Sequence, residues 1–320
     1  MKWGITTGDA LDVLAAMEPR SVQTCVTSPP YWGLRDYGVD GQIGLESTPE
    51  AFVARMVEVF REVRRVLRDD GTLWLNLGDS YASVGSGGDT KSGFNDRYFG
   101  TNNGAGKQGA PEGLTGRREL RSGLKPKDLC GIPWRVAFAL QADGWFLRSD
   151  IIWHKPNPMP ESVRDRPTKS HEYIFLMSKS ARYLYDADAI SEPHGSNWLA
   201  KRKPYEIKGN NDRNDGGQPP QSARERRNRR SVWTVTTRPY KGAHFATFPP
   251  KLIEPCILAG APRGAVVLDP FAGAGTTGLV SVRLGRSFRG VELNPVYADM
   301  ARKRIIDDAP LFNRRTMGIA

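Results

Sequence analysis

The sequence predicts an α/β chain built around a mostly parallel sheet, and two stretches carry that expectation. Apolar runs at Val22–Thr27 and 72–77 flank a helix in which Phe52, Met56, Phe60, Val63 and Leu67 recur at helical spacing, which makes a βαβ unit. Far downstream, a short apolar strand at 265–268 enters a glycine-rich turn, then a helix over 276–284 and a strand over 288–291. Strands joined in this way present their C-terminal ends on one edge of the sheet, where open α/β folds bind ligands.

In chain order, residues 1–80 read as strand, loop, helix and strand. Thr48-Pro49-Glu50 opens the helix, with proline in the first turn where its missing N–H costs nothing, and Asp69-Asp70-Gly71 closes it. From 82 to 127 the pattern dissolves into Gly, Ser, Asn and scattered charge, the composition of a long loop or insertion. A helix follows over 133–143, stopped by Gly144, and then strands over 146–153 and 173–177. Lys155-Pro156-Asn157-Pro158-Met159-Pro160 between these strands is too proline-rich for either element. A second irregular stretch, 191–231, ends in Arg224, Arg226, Arg227, Arg229 and Arg230, which read either as a solvated linker or as a contact for a polyanion. Helices then start near Pro250 and at Asn294-Pro295.

With 320 residues the chain can bury a full core. Its 46 Lys and Arg against 35 Asp and Glu leave a formal charge of +11, which favours a polyanionic partner. Apolar runs are far shorter than the ~20 residues of a membrane helix, and the N-terminus has no signal-peptide pattern, so no membrane partner and a cytoplasmic location are expected. Cys25, Cys130 and Cys256 are widely spaced without a CxxC pair and read as buried apolar residues, so no metal site is expected.

Two motifs carry the chemistry. Asp269-Pro270-Phe271-Ala272-Gly273-Ala274-Gly275-Thr276-Thr277 is a strand end, a turn and a helix start. Its glycines let the backbone approach a small ligand, and the helix start offers free amide donors. A Walker loop would need a lysine that this turn lacks. Glu292, ending the next strand, is placed to accept hydrogen bonds from two ribose hydroxyls, so an adenosine-containing ligand without a cradled pyrophosphate fits. Upstream, Ser28-Pro29-Pro30-Tyr31 follows the Val22–Thr27 strand, and its prolines hold hydrogen-bond acceptors beside an aromatic ring.

The run from Thr27 through Ser28-Pro29-Pro30-Tyr31-Trp32 to Gly38, together with the glycine turn and Ile152-Trp153-His154-Lys155-Pro156-Asn157-Pro158, resembles the β group of amino-directed DNA methyltransferases. The resemblance covers about 1–80, 130–180 and 245–308. It implies a Rossmann-like S-adenosylmethionine-dependent methyltransferase fold over 1–320, with a mostly parallel seven-stranded sheet, an antiparallel hairpin and a circularly permuted motif order. It makes Ser28, Pro29, Pro30 and Tyr31 catalytic, and assigns Asp9, Asp269, Pro270, Phe271, Gly273, Gly275, Thr276, Thr277, Glu292 and Asn294 to S-adenosyl-L-methionine. Trp32, Lys155 and Asn157 fall near the target base, and the arginines of 224–230 near DNA. The implied partners are double-stranded DNA and a restriction endonuclease, for a monomer or homodimer, with inserts 82–127 and 191–231 as target-recognition regions. A serine at the head of the catalytic motif implies the N4 of cytosine. Adenine N6, methylation of RNA or protein, and a catalytically dead DNA-binding protein are the competing readings.

Overall fold

The computed structural model describes residues 2–33, 38–82, 124–193, 226–237 and 247–318. Its centre is an eight-stranded sheet made of β1 (Trp3–Thr7), β2 (Val22–Thr27), β3 (Leu67–Leu77), β4 (Phe146–His154), β5 (His171–Ser178), β8 (Val232–Thr234), β9 (Val266–Asp269) and β10 (Ser287–Glu292). The order across the sheet is β1-β10-β9-β2-β3-β5-β4-β8. The first five run parallel, β5 is antiparallel to both β3 and β4, and β8 lies parallel to β4. A separate two-stranded ladder pairs β6 (Glu192–Pro193) with β7 (Arg226–Arg227).

Both faces of the sheet are covered. Helices α1 (Ala10–Ala15), α2 (Pro49–Val66) and α3 (Ile132–Ala142) build an apolar core on one side around Phe52, Phe60, Leu140 and Phe175. On the other side α4 (Pro250–Gly260), α5 (Thr276–Arg283) and α6 (Pro295–Asp308) pack around Trp74, Ile257 and Phe288, and α7 (Pro310–Thr316) follows α6. A parallel strand between two helical layers must be apolar on both sides, and every residue of β2 is buried. Truncating a fully buried ring such as Phe60 to alanine would cost about 3–5 kcal/mol.

Helix α2 starts where its sequence signals stand. The Thr48 hydroxyl accepts the Ala51 N–H at 3.1 Å, Pro49 fills the first turn, and the last turn is basic. Its end differs from expectation: the helix stops at Val66, and β3 begins at once with Leu67 paired to Val22, so Asp69-Asp70-Gly71 lie within an irregular strand.

Among the described residues the sheet holds eight strands where seven were expected. The additional strand, β8, comes immediately after the second irregular stretch, where Val232, Trp233 and Thr234 pair with Ile152, Trp153 and His154. Three residues are too few for a period, and what seats them is tertiary: Trp233 is buried, with its ring 6.4 Å from that of Trp74. Strand β1 and helix α1 were also unforeseen. Trp3, completely buried, places β1 beside β10 with Trp3 opposite Phe288.

All three cysteines are buried free thiols. Among the described residues no cluster of His, Cys, Asp and Glu could hold a metal ion, and no helix is long and apolar enough to cross a membrane.

Candidate active site

Strands β2 and β9 are parallel neighbours, with Thr24 opposite Val267 and Cys25 opposite Leu268, so their C-terminal ends emerge side by side. This brings the Ser-Pro-Pro-Tyr loop and the glycine turn together from opposite ends of the chain. A side-chain contact closes the junction: Thr27 Oγ1 donates to Asp269 Oδ1 at 2.6 Å across 242 residues of sequence. Thr277 Oγ1 donates to Asp269 Oδ2 at 2.6 Å and the Phe271 N–H to Oδ1 at 3.1 Å. Burial pushes the Asp269 carboxyl up to about 6, while these three donors work against that rise. The carboxylate, 2% exposed, thus ties the Ser-Pro-Pro-Tyr loop to the glycine turn, and Thr277, which also reaches the Val26 carbonyl, shares in that tie.

The turn itself is shaped by its glycines. Gly273 and Gly275 adopt left-handed backbone with φ of 49° and 73°. A Cβ on Gly275 would stand 2.8 Å from the Ala301 Cβ, so that glycine lets α6 pack close. Gly278 stands in register for a Gly-x-Gly-x-x-Gly spacing, where the sequence reading placed it one position out, and does similar work, since a Cβ there would lie 2.6 Å from the Phe288 ring. At Gly273 the nearest neighbour would be the Phe271 carbonyl oxygen at 3.9 Å, so the turn is open on that side.

Glu292 lies beside this opening. Its Oε2 accepts the Gly273 N–H at 2.8 Å and its Oε1 the Asn294 N–H at 2.9 Å, and burial raises its pKa. Strand β1 ends next to it, with Thr7 opposite Glu292 and the Gly8 N–H donating to the Glu292 carbonyl at 3.0 Å, which brings Asp9 close. Asp9 caps α1 through the Leu11 N–H at 2.8 Å, and Asn294 caps α6 through the Val296 N–H at 2.9 Å. Thr276 Oγ1 and the Ala274 carbonyl both accept from Arg304. Pro270 is buried, and Phe271 packs against the core. An open glycine turn with a carboxylate at the adjacent strand end fits a nucleoside bearing a small polar tail.

In the Ser-Pro-Pro-Tyr loop, Pro29 is buried and Ser28 half-buried. Tyr31 donates its hydroxyl to Glu172 Oε2 at 2.8 Å, and its ring lies so close to Gly78 that a Cβ there would sit 2.6 Å from Cε2. Burial together with the Glu172 charge raises the Tyr31 pKa well above that of an ordinary phenol. Glu172 also receives Asn76 Nδ2 at 3.2 Å and forms an ion pair with Lys155, whose ammonium lies 4.3 Å from the Trp153 ring centre.

Other expected contacts have internal partners. Trp32 donates to the Glu46 carbonyl at 2.9 Å and packs on the core, and Asn157 exchanges hydrogen bonds with the Thr237 backbone just beyond β8. Among the arginines, Arg226 bonds to Ser191, Arg227 and Arg230 pair with Glu192 at 2.9 and 2.6 Å, and Arg229 stacks 4.7 Å over Trp233. Arg224 lies outside the described residues. Glu172 and Asn76 are the residues around this loop that sequence reasoning missed. A charged residue heading the apolar run Tyr173-Ile174-Phe175-Leu176 was the available signal for Glu172.

An open α/β sheet whose glycine turn meets a proline-stiffened acceptor loop defines a nucleoside-dependent group-transfer enzyme. Residues 22–303 match the profile of the N6/N4 DNA methylase family, and the chain belongs to that family. Among its relatives is the Type II methyltransferase M.Cfr9I of Citrobacter freundii, 49% identical over 298 residues that cover 93% of this chain and 86% of the relative. Another is M.SmaI of Serratia marcescens, 47% identical over 302 residues covering 94% and 90%. Of solved structures, TTHA0409 of Thermus thermophilus complexed with S-adenosyl-L-methionine aligns with a TM-score of 0.58 at 25% identity, covering 97% of this chain and 96% of that one. The cytosine-N4-specific PvuII DNA methyltransferase, at 18% identity and a TM-score of 0.61 over 99% of this chain and 94% of its own, shares the fold.

Proposed function

We propose that this protein is a sequence-specific DNA methyltransferase of the restriction-modification type, moving a methyl group from S-adenosyl-L-methionine to the N4 amino group of cytosine in a flipped-out base. The observation that carries the reading is the Thr27–Asp269 junction, which fixes the Ser28 loop beside the open glycine turn. Backbone amides of 273–277 and the Glu292 carboxylate would hold the cofactor, with Asp9 and Asn294 at the flanks. Bound there, it supplies a methyl group activated on a sulfonium.

The protein's own task is placement. An exocyclic amine is a weak nucleophile because its lone pair is delocalised into the ring. Ser28 Oγ and the Pro29 carbonyl accept the two amino hydrogens and turn that lone pair toward the methyl group, and Pro29 and Pro30 keep the acceptors preorganised. No strong base is required. A base within a duplex cannot reach this loop, so it must be flipped, at a cost of a few kcal/mol. The inserts 82–127 and 191–231 are assigned to target recognition, with most of each outside the described residues. In the cytoplasm the enzyme would protect the DNA sites cut by a companion endonuclease.

The choice of cytosine rests on Ser28, since family members with serine at that position mostly modify cytosine. DNA from cells expressing the protein, digested to nucleosides and analysed by mass spectrometry, should contain N4-methylcytosine. N6-methyladenine as the sole product overturns the assignment of the base, and no methylated nucleoside overturns the activity.

A further inference from the structure

One tyrosine is held by the ends of three other strands. Tyr31 lies shortly after β2, and its hydroxyl donates to Oε2 of Glu172, at the start of β5, at 2.8 Å. Asn76 of β3 donates to the same oxygen at 3.2 Å, and Lys155, directly after β4, forms an ion pair with Oε1. The Glu172 side chain is only 14% exposed and that of Lys155 only 19%, so water competes weakly for these bonds. Gly78, directly after β3, completes the socket. A Cβ there would stand 2.6 Å from Tyr31 Cε2, 3.1 Å from its Cζ and 3.3 Å from the Glu172 carboxyl carbon.

A tyrosine has two side-chain torsions, and in a loop nothing local fixes both. Pro29 and Pro30 restrict the backbone that leads into this one, and the Gly33 N–H donates to the Gly44 carbonyl at 2.8 Å just beyond it. The hydroxyl bond then fixes the far end of the ring, and the main chain at Gly78 blocks its swing on one side. That close approach needs a residue without a side chain. The ring is nevertheless half-buried, so part of it stays open to a flat ligand. Stacking on an aromatic ring is favourable for any base, and a ring already in place has no torsion to freeze when the base arrives.

We propose that Glu172 and Gly78 are positioning residues for methyl transfer: Glu172 through the Tyr31 hydroxyl, and Gly78 through its missing side chain, fix the ring of Tyr31 as a preset stacking face for the target base. The role rests on the reading of the Ser28 loop as the receiver of that base. No proton moves in it, since Tyr31 keeps its proton and Glu172 serves as an acceptor. Asn76 and Lys155 hold the carboxylate where the hydroxyl can reach it.

The test is single-turnover methylation of duplex DNA by variants of the full-length protein. Tyr31→Phe keeps the ring and removes only its anchor, and Glu172→Leu removes the acceptor. Each should slow transfer on the order of tenfold, the worth of a hydrogen bond to a charged group, with binding of S-adenosylmethionine changed less than about threefold. Because both act on one contact, the double variant should be no slower than the worse single one. Gly78→Ala leaves the anchor but displaces the ring, and should lose at least as much as Tyr31→Phe. Tyr31→Leu removes the stacking face itself and should be slower than Tyr31→Phe on the order of a further tenfold. A transfer rate within about threefold of wild type for Tyr31→Phe or Gly78→Ala, multiplicative losses in the double variant, or Tyr31→Leu no slower than Tyr31→Phe overturns the inference. Tyr31→Phe leaves Glu172 with Asn76 and Lys155, so the outcome does not depend on whether Glu172→Leu folds. Wild-type protein that methylates no DNA would instead defeat the proposed function itself, so the two failures are told apart.

Discussion

Asp269→Asn tests the junction at the heart of the site through the pH dependence of folding. In the folded protein the Asp269 carboxyl is pushed from its ordinary 3.8 up to about 6, principally by burial. A difference of about 2.2 at 1.36 kcal/mol each corresponds to about 3 kcal/mol. The folded state holds the proton more tightly than the unfolded chain, so between those two values it binds more protons and its stability falls as the pH rises through the window. Above about pH 6 the cost of holding the charge is fully present. Asparagine carries no such charge and can still satisfy every donor. Its Oδ1 accepts Thr27 and the Phe271 N–H as before, and its amide faces Thr277 Oγ1, which turns its own proton to the Val26 carbonyl at 3.3 Å. Urea unfolding of both proteins from about pH 4.5 to about pH 7.5 should show the stability difference moving by about 2 kcal/mol in favour of the variant as pH rises, the part of the window that this range covers. Comparing the two proteins cancels titrations common to both, such as that of Asp69, which Lys179 holds below its ordinary value. A pH-independent difference would refute the claim that Asp269 is a costly buried charge, retained for its contacts.

Gly275→Ala should destabilise the fold by about 2–4 kcal/mol, because its Cβ meets Ala301 at 2.8 Å and its φ of 73° is left-handed. Gly273→Ala, which has open space around it, should cost only about 1–2 kcal/mol yet weaken cofactor binding at least tenfold by calorimetry; the reverse ranking in melting temperature sinks the division of labour between the two. Glu292→Gln should raise the dissociation constant of S-adenosylmethionine on the order of tenfold or more, the worth of a hydrogen bond to a charged group, and unchanged affinity would remove Glu292 from the cofactor site. With a formal charge of +11, duplex binding should fall on the order of 10³-fold between about 50 and about 200 mM salt, and a flat salt dependence would argue against phosphate contacts as the main source of affinity.

Much of this protein was legible in one dimension because its signals are local. Thr48-Pro49 starts a helix wherever it stands before an apolar 3.6-residue pattern, Asn294-Pro295 does the same for α6, and a glycine turn after an apolar strand can be read without a fold. The expected strands β4 and β5 are found within two residues of their predicted ends. Short elements escaped. β8, α1 and β1 are three to six residues long, below the length at which a period declares itself, and they exist because Trp233 and Trp3 find a core to enter.

The sequence by itself determined the chemistry on offer: an acceptor loop stiffened by prolines, a glycine-rich turn and an acid at a strand end, each recognisable because it depends on residues adjacent in the chain. Only the tertiary structure decided how those groups are used. Asp269 was expected to meet the cofactor, and the fold also has its side chain hold Thr27 and Thr277, because β9 lies beside β2 and a buried carboxylate must gather whatever donors surround it. Tyr31 was expected to offer its face to a base, and the fold also gives its hydroxyl a partner in Glu172, 141 residues away. Such pairings form across strands and have no spacing in the chain, so no local pattern can encode them.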